Sequence, residues 1–111
     1  MTGQGAFERI RLGESDLLVS PLGVGTNKWG SDDKPDPEMK AAFDAALAAG
    51  INFFDTTEVY TKGGSERTVG LCLKSSAGGA VIATKFMPMP ARVRKSHLLG
   101  ALKGSLERLG L

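Results

Sequence analysis

Between residues 21 and 111, strand-like and helix-like segments alternate three times with short connections. Strands separated by a helix lie parallel and are joined by right-handed crossovers, so this order restricts the chain to an α/β fold. Leu22-Gly23-Val24-Gly25-Thr26 is the first strand, an apolar run closed by small residues. A polar loop from Asn27 to Pro35 leads to a sharply punctuated helix: Asp36 suits its cap, Pro37 its first position and Gly50 its end. Met39, Ala42, Phe43, Ala46 and Leu47 share one face of it.

Ile51-Asn52-Phe53-Phe54-Asp55 reads as the second strand. Ser65-Glu66 opens a helix in which Val69, Cys72 and Leu73 share a face, and Gly78-Gly79 must end it. Ala80-Val81-Ile82-Ala83-Thr84 is the third strand, without alternation, as expected when both faces are covered. Pro88 and Pro90 exclude regular structure before the last helix. Ser96 is its expected cap, and Leu98, Leu102, Leu106 and Leu109 are its expected buried stripe; Gly100 and Gly104 each weaken it by about 1 kcal/mol relative to Ala. Ahead of these units, Phe7–Leu12 and Leu17–Val19 form a hairpin hinged at Gly13-Glu14-Ser15-Asp16. The expected organisation is one unit over residues 1–111, with a hairpin at 6–20 and three βα units at 21–111.

At 111 residues the chain has room for one ordinary domain. The single Cys72 excludes an intrachain disulfide and no Cys/His cluster has metal-ligand spacing, so a reducing compartment and no metal are expected. Residues 1–9 lack the apolar stretch of a signal peptide, and no run reaches bilayer length. A soluble protein is expected, cytoplasmic, or plastid if a transit segment is missing. Residues 85–111 carry 6 basic side chains against 1 acidic, but only Phe86 offers an aromatic platform there. That charge reads as a solvated helix face, with neither nucleic acid nor membrane as partner.

The kind of α/β sheet follows from the strand ends. A dinucleotide fingerprint needs a third glycine where Gly23-Val24-Gly25-Thr26-Asn27-Lys28 has Lys28, and no phosphate-binding Gly-x-x-x-x-Gly-Lys loop occurs. A (β/α)8 barrel instead gathers chemistry at the carboxyl ends of its strands, and those ends carry Thr26, Asp55 and Lys85. A carboxylate at the edge of a core needs a cation or donors, and Lys85 is the natural partner of Asp55. Tyr60, five residues past Asp55, can fold back over the same mouth. An ammonium beside a phenol favours the phenolate, so the three together make a proton donor suited to a carbonyl oxygen that gains negative charge.

The stretch Gly50-Ile51-Asn52-Phe53-Phe54-Asp55-Thr56-Thr57-Glu58-Val59-Tyr60, followed by Ser65-Glu66 and Gly70, resembles the signature of the aldo-keto reductase family. Leu22–Thr26 is similar to that family's first barrel strand, Ala83-Thr84-Lys85 to its lysine-bearing strand, and Ser105–Leu109 to the close of its third helix. The hairpin looks like the lid over the bottom of that barrel. The resemblance implies a partial (β/α)8 TIM barrel and hydride transfer from NADPH to a small aldehyde or ketone. It implies Tyr60 as general acid, Lys85 as the residue that makes its phenol a better donor, Asp55 as the partner of Lys85, and Gly25, Thr26 and Asp55 as cofactor-binding residues. Thr57 and Thr61 depart from the small residues usual in that family.

The family's fourth catalytic residue, a His closing the fourth strand, would lie past Leu111; His97 belongs to the third helix and is no substitute. A complete barrel takes about 250 residues. Three units would leave an unpaired edge at Val81, Ile82 and Ala83, inviting self-association. The expectation is therefore part of an NADP-dependent oxidoreductase that lacks turnover in isolation. The alternative is a non-catalytic nucleotide-binding or protein-interaction module on the same fold.

Overall fold

A computed structural model describes residues 7–76 and 78–111, and residue 6 of the expected hairpin lies outside them. Two short antiparallel strands, β1 (Ile10–Arg11) and β2 (Leu18–Val19), form a separate two-stranded sheet. The remaining strands, β3 (Gly23–Gly25), β4 (Phe53–Asp55) and β5 (Val81–Ala83), form a parallel sheet in the order β3-β4-β5. Between and after them come α1 (Met39–Ala48), α2 (Gly64–Lys74) and α3 (Lys95–Leu109). This is three successive βα units, the order expected of the opening part of a (β/α)8 barrel.

Local chemistry explains the boundaries of α1. The helix begins at Met39 with Glu38 at its cap, two residues later than the expected start at Pro37; the Asp36 carboxylate accepts the Glu38 N–H at 3.0 Å within the turn that leads into it. At the other end Gly50 has φ +91°, Gly50 N–H donates to Leu47 O at 3.0 Å and Ile51 N–H to Ala46 O at 2.9 Å. These two bonds satisfy the last carbonyls, and only glycine enters that conformation without strain.

Register decides which strand residues face the helices. Phe53 pairs with Gly23 on one side and Val81 on the other, Phe54 with Val24 and Ile82, and Asp55 with Gly25 and Ala83. Because side chains alternate across a sheet, Val24, Phe54 and Ile82 share one face and Phe53, Asp55, Val81 and Ala83 the other. The first face builds the core: Phe54 stacks on Phe43 of α1 with centroids 4.5 Å apart and lies 6.4 Å from Trp29. Val69 and Cys72 of α2 and Leu109 of α3 complete it. The second face has no covering layer among the described residues, so all of β5 is only half-buried. That corrects the expectation of a strand covered on both sides: three strands cannot close on themselves.

The hairpin sits at the amino-terminal end of β4. Asn52 ties it there, accepting Ser20 N–H at 2.7 Å and donating to Leu18 O at 3.0 Å, while Arg9 donates to Gly50 O at 2.9 Å. The opposite, carboxyl-terminal end is thereby left open.

Three further expectations are corrected. Ala42 is exposed, because α1 packs through Phe43 with Met39, Ala46 and Leu47 against the core. Helix α3 starts at Lys95 rather than after Ser96, with Arg94 N–H donating to His97 Nδ1 at 3.3 Å. Leu98, Leu102 and Leu106 are 48%, 48% and 38% exposed, and α3 meets α2 through Ser105, Arg108 and Leu109 instead. Leu98 and Leu102 line an open groove with Thr84, Lys85 and Phe86 just past β5, and no further strand lies beyond β5 among the described residues. Within the described residues no helix is long and apolar enough to cross a membrane.

Candidate active site

Asp55 closes β4 and Lys85 follows β5 by two residues, which places both at the carboxyl end of the parallel sheet. Lys85 Nζ donates to Asp55 Oδ1 at 2.5 Å, with both side chains about half exposed. The same ammonium lies 5.5 Å from the centroid of the Tyr60 ring. An acid, an amine and a phenol from two separate connections thus meet on one rim.

The β4–α2 connection is sewn to the end of β5 by backbone and hydroxyl bonds. Thr56 N–H donates to Ala83 O at 2.8 Å, Thr57 Oγ1 to Lys85 O at 2.9 Å and Glu58 N–H to Lys85 O at 3.4 Å. Tyr60 then begins a short turn, Tyr60–Gly63, in which Thr61 and Lys62 take φ +49° and +57°. Thr61 Oγ1 donates to Trp29 O at 3.0 Å, and Asp33 N–H to Thr61 O at 2.7 Å, which ties this turn to the loop after β3.

Thr26 is fully buried. Its hydroxyl is 2.7 Å from Ser65 Oγ and 2.9 Å from Asp55 O, so it fastens the ends of β3 and β4 together rather than facing the rim. Gly25 pairs with Asp55 at an open strand end, where an added Cβ would meet nothing within 4 Å. A groove of about 240 Å³ lined by Thr84, Lys85, Phe86, Leu98, Ala101 and Leu102 approaches the rim from the α3 side and reaches Lys85 alone of the three. The rim is open rather than enclosed.

Sequence reasoning passed over two carboxylates that hold this region. Glu66, 0% exposed, accepts Arg108 Nε–H at 2.7 Å and the Thr84 hydroxyl at 2.6 Å, joining α2, α3 and the residue before Lys85. Glu58 accepts both Arg92 nitrogens at 3.0 Å and Met87 N–H at 2.7 Å. The Arg92 hydrogen bonds hold the Glu58 carboxyl below its ordinary range; burial opposes them and the Met87 N–H adds to them. The signal for Glu58 was its place inside the Asp55–Tyr60 segment. Nothing local announced its partner 34 residues away. Arg92, whose charge contributed to the basic C-terminal segment, is thus paired internally.

The fold and rim together define the first three units of a βα barrel with a Tyr–Lys–Asp cluster at its carboxyl face. Residues 21–111 match the family model described as the aldo/keto reductase family, and the chain belongs to that family. It is 35% identical to the chloroplastic pyridoxal reductase of Arabidopsis thaliana over 93% of this chain and 32% of that protein. It is 32% identical to a probable voltage-gated potassium channel subunit beta of Oryza sativa subsp. japonica over 90% of this chain and 33% of that protein. Among solved structures, the holo form of an aldo-keto reductase from Bacillus halodurans superposes with a TM-score of 0.75 at 31% identity, covering 94% of this chain and 37% of that one. The chain spans about a third of the length of the curated relatives it matches.

Proposed function

We propose that this chain carries the proton-donating half of an NADPH-dependent reductase site for small aldehydes or ketones. The observation that supports the reading is the meeting of Asp55, Lys85 and Tyr60 at one strand-end rim. NADPH, when bound, would supply the hydride for the carbonyl carbon; Gly25 and Asp55 are the residues proposed to hold its nicotinamide end, while the buried Thr26 acts only by fastening the strand ends beneath them. Tyr60 donates its phenolic proton to the carbonyl oxygen as negative charge gathers there. Lys85 stabilises the negative charge left on the phenol oxygen, and the ion pair with Asp55 keeps the ammonium aimed. The open rim admits water, and the isolated chain is expected to lack appreciable turnover.

The test follows NADPH oxidation with a simple aldehyde, in the chain alone and in a chimera that completes the barrel with the remaining units of a relative. Turnover confined to the chimera, and reduced at least about 100-fold by Tyr60→Phe, is expected. Chimera turnover untouched by Tyr60→Phe overturns the role of Tyr60, and Tyr60-dependent turnover of the chain alone overturns its inactivity.

The unpaired β5 edge beside the exposed Leu98 and Leu102 favours a second reading, a non-catalytic module that engages a protein or a second copy. Its mark is association that Val81→Lys, on the uncovered sheet face, abolishes with secondary structure unchanged while Tyr60→Phe leaves it intact.

A further inference from the structure

Tyr60 and Lys85 ride on different connections, so something must set their separation. Beyond Lys85 the backbone has no regular structure until α3, and Pro88 and Pro90 remove two donors from it. That segment is nevertheless closed into a ring around one guanidinium. Arg92 donates to Met87 O at 3.1 Å, its backbone N–H reaches Met89 O at 2.7 Å, and its guanidinium lies 4.5 Å over the Phe86 ring. The ring is completed from the other connection by the Glu58 carboxylate, which takes Arg92 in both forks and also accepts Met87 N–H. Glu58 stands two residues before Tyr60, and Met87 two residues after Lys85.

We propose that Glu58 and Arg92 form a latch that positions Tyr60 against Lys85, acting on the proton donor through the backbone without touching substrate. This rests on the reading of Tyr60 and Lys85 given above. The direct bonds between the two connections near the rim are few, and the Glu58 N–H to Lys85 O contact is long at 3.4 Å. The bidentate pair is the strong connection: planar, charge-assisted, and formed by a Glu58 side chain only 10% exposed. Thr57 and the ladder fix the height of the β5 end. The latch fixes how far the segment carrying Lys85 swings away from the turn carrying Tyr60.

Tyr60 is the only tyrosine of the chain, so ring-labelled tyrosine gives NMR signals from this residue alone. The experiment measures how far Lys85→Met moves those signals in the parent chain and in the Glu58→Gln background, with Arg92→Lys as a second background that keeps the charge and loses the fork. Far-UV circular dichroism identifies any background that fails to fold, and the charge-exchanged pair Glu58→Arg with Arg92→Glu tests rescue. In the parent chain Lys85→Met is expected to move the ring signals clearly. In both single backgrounds that displacement is expected to fall at least twofold with secondary structure unchanged, and the exchanged pair to restore part of it. An equal displacement in all backgrounds overturns the latch while leaving the Lys85–Tyr60 contact standing. No displacement in the parent chain overturns the contact itself, and with it both readings.

Discussion

Arg108→Ala tests whether the region beneath the rim is held by the buried carboxylate of Glu66. The carboxylate is 0% exposed, and its two bonds go to Arg108 at 2.7 Å and Thr84 at 2.6 Å. Removing one partner of a buried ion pair destabilises by about 3–5 kcal/mol, because the other charge is left uncompensated. Arg108 is 21% exposed and the Thr84 bond survives, which brings the expected loss to about 2–4 kcal/mol. Domains of ordinary stability hold about 5–15 kcal/mol, so the loss is a large fraction of the total. With a urea dependence of about 1–3 kcal/mol per molar, the unfolding midpoint should fall by roughly 0.7–4 M. Trp29, the only tryptophan and part of the core, reports the transition by its fluorescence. Arg67→Ala is the control: its pair with Asp33 is 43% and 58% exposed. Such a pair contributes under about 1 kcal/mol. Replacing both members, Glu66→Gln with Arg108→Met, should recover most of the loss, since no buried charge remains and the amide still accepts from Thr84. Arg108→Ala shifting the midpoint no further than Arg67→Ala would refute the argument.

Two other outcomes follow from the geometry. Glu58 has a folded-state value below its ordinary range, so its stabilisation is complete above the unfolded value near pH 4 and disappears as pH falls through the lower folded value. Urea titrations at several pH values should therefore show the parent chain about 1–3 kcal/mol more stable than Glu58→Gln at neutral pH, with the gap closing in acid; a gap that persists there contradicts the assignment. Gly70→Ala places a Cβ 2.5 Å from Arg108 O, where α2 meets α3, and should lower the melting temperature by an amount matching about 1–3 kcal/mol of overpacking; an unchanged melting temperature refutes that close approach.

The order of strands and helices was legible because its signals are local. Asp36 and Gly50 act within four residues of the helix ends they serve, and the strand-end positions of Asp55 and Lys85 follow from where an apolar run stops. The candidate site was legible for the same reason: a parallel sheet carries the residues at equivalent strand ends to one rim. The burial of the last helix was not. Periodicity identified Leu98, Leu102 and Leu106 as a shared face, but a face is buried only if a neighbour covers it, and the neighbour in place, α2, is reached through Ser105, Arg108 and Leu109. The missing alternation in β5 misled in the same way, since covering both faces needs a second layer that the sequence of the strand does not contain.

Sequence alone therefore determined the α/β order, the glycine that ends the first helix and the set of polar residues delivered to the rim, all consequences of short-range backbone chemistry. Tertiary structure alone decided that Thr26 fastens two strands instead of facing outward, that Glu66 is buried against Arg108, and that Glu58 closes on Arg92 across 34 residues. A charge or hydroxyl has no preferred partner until the chain brings one within about 3 Å, and pairings between distant segments leave no periodic trace for a sequence to display.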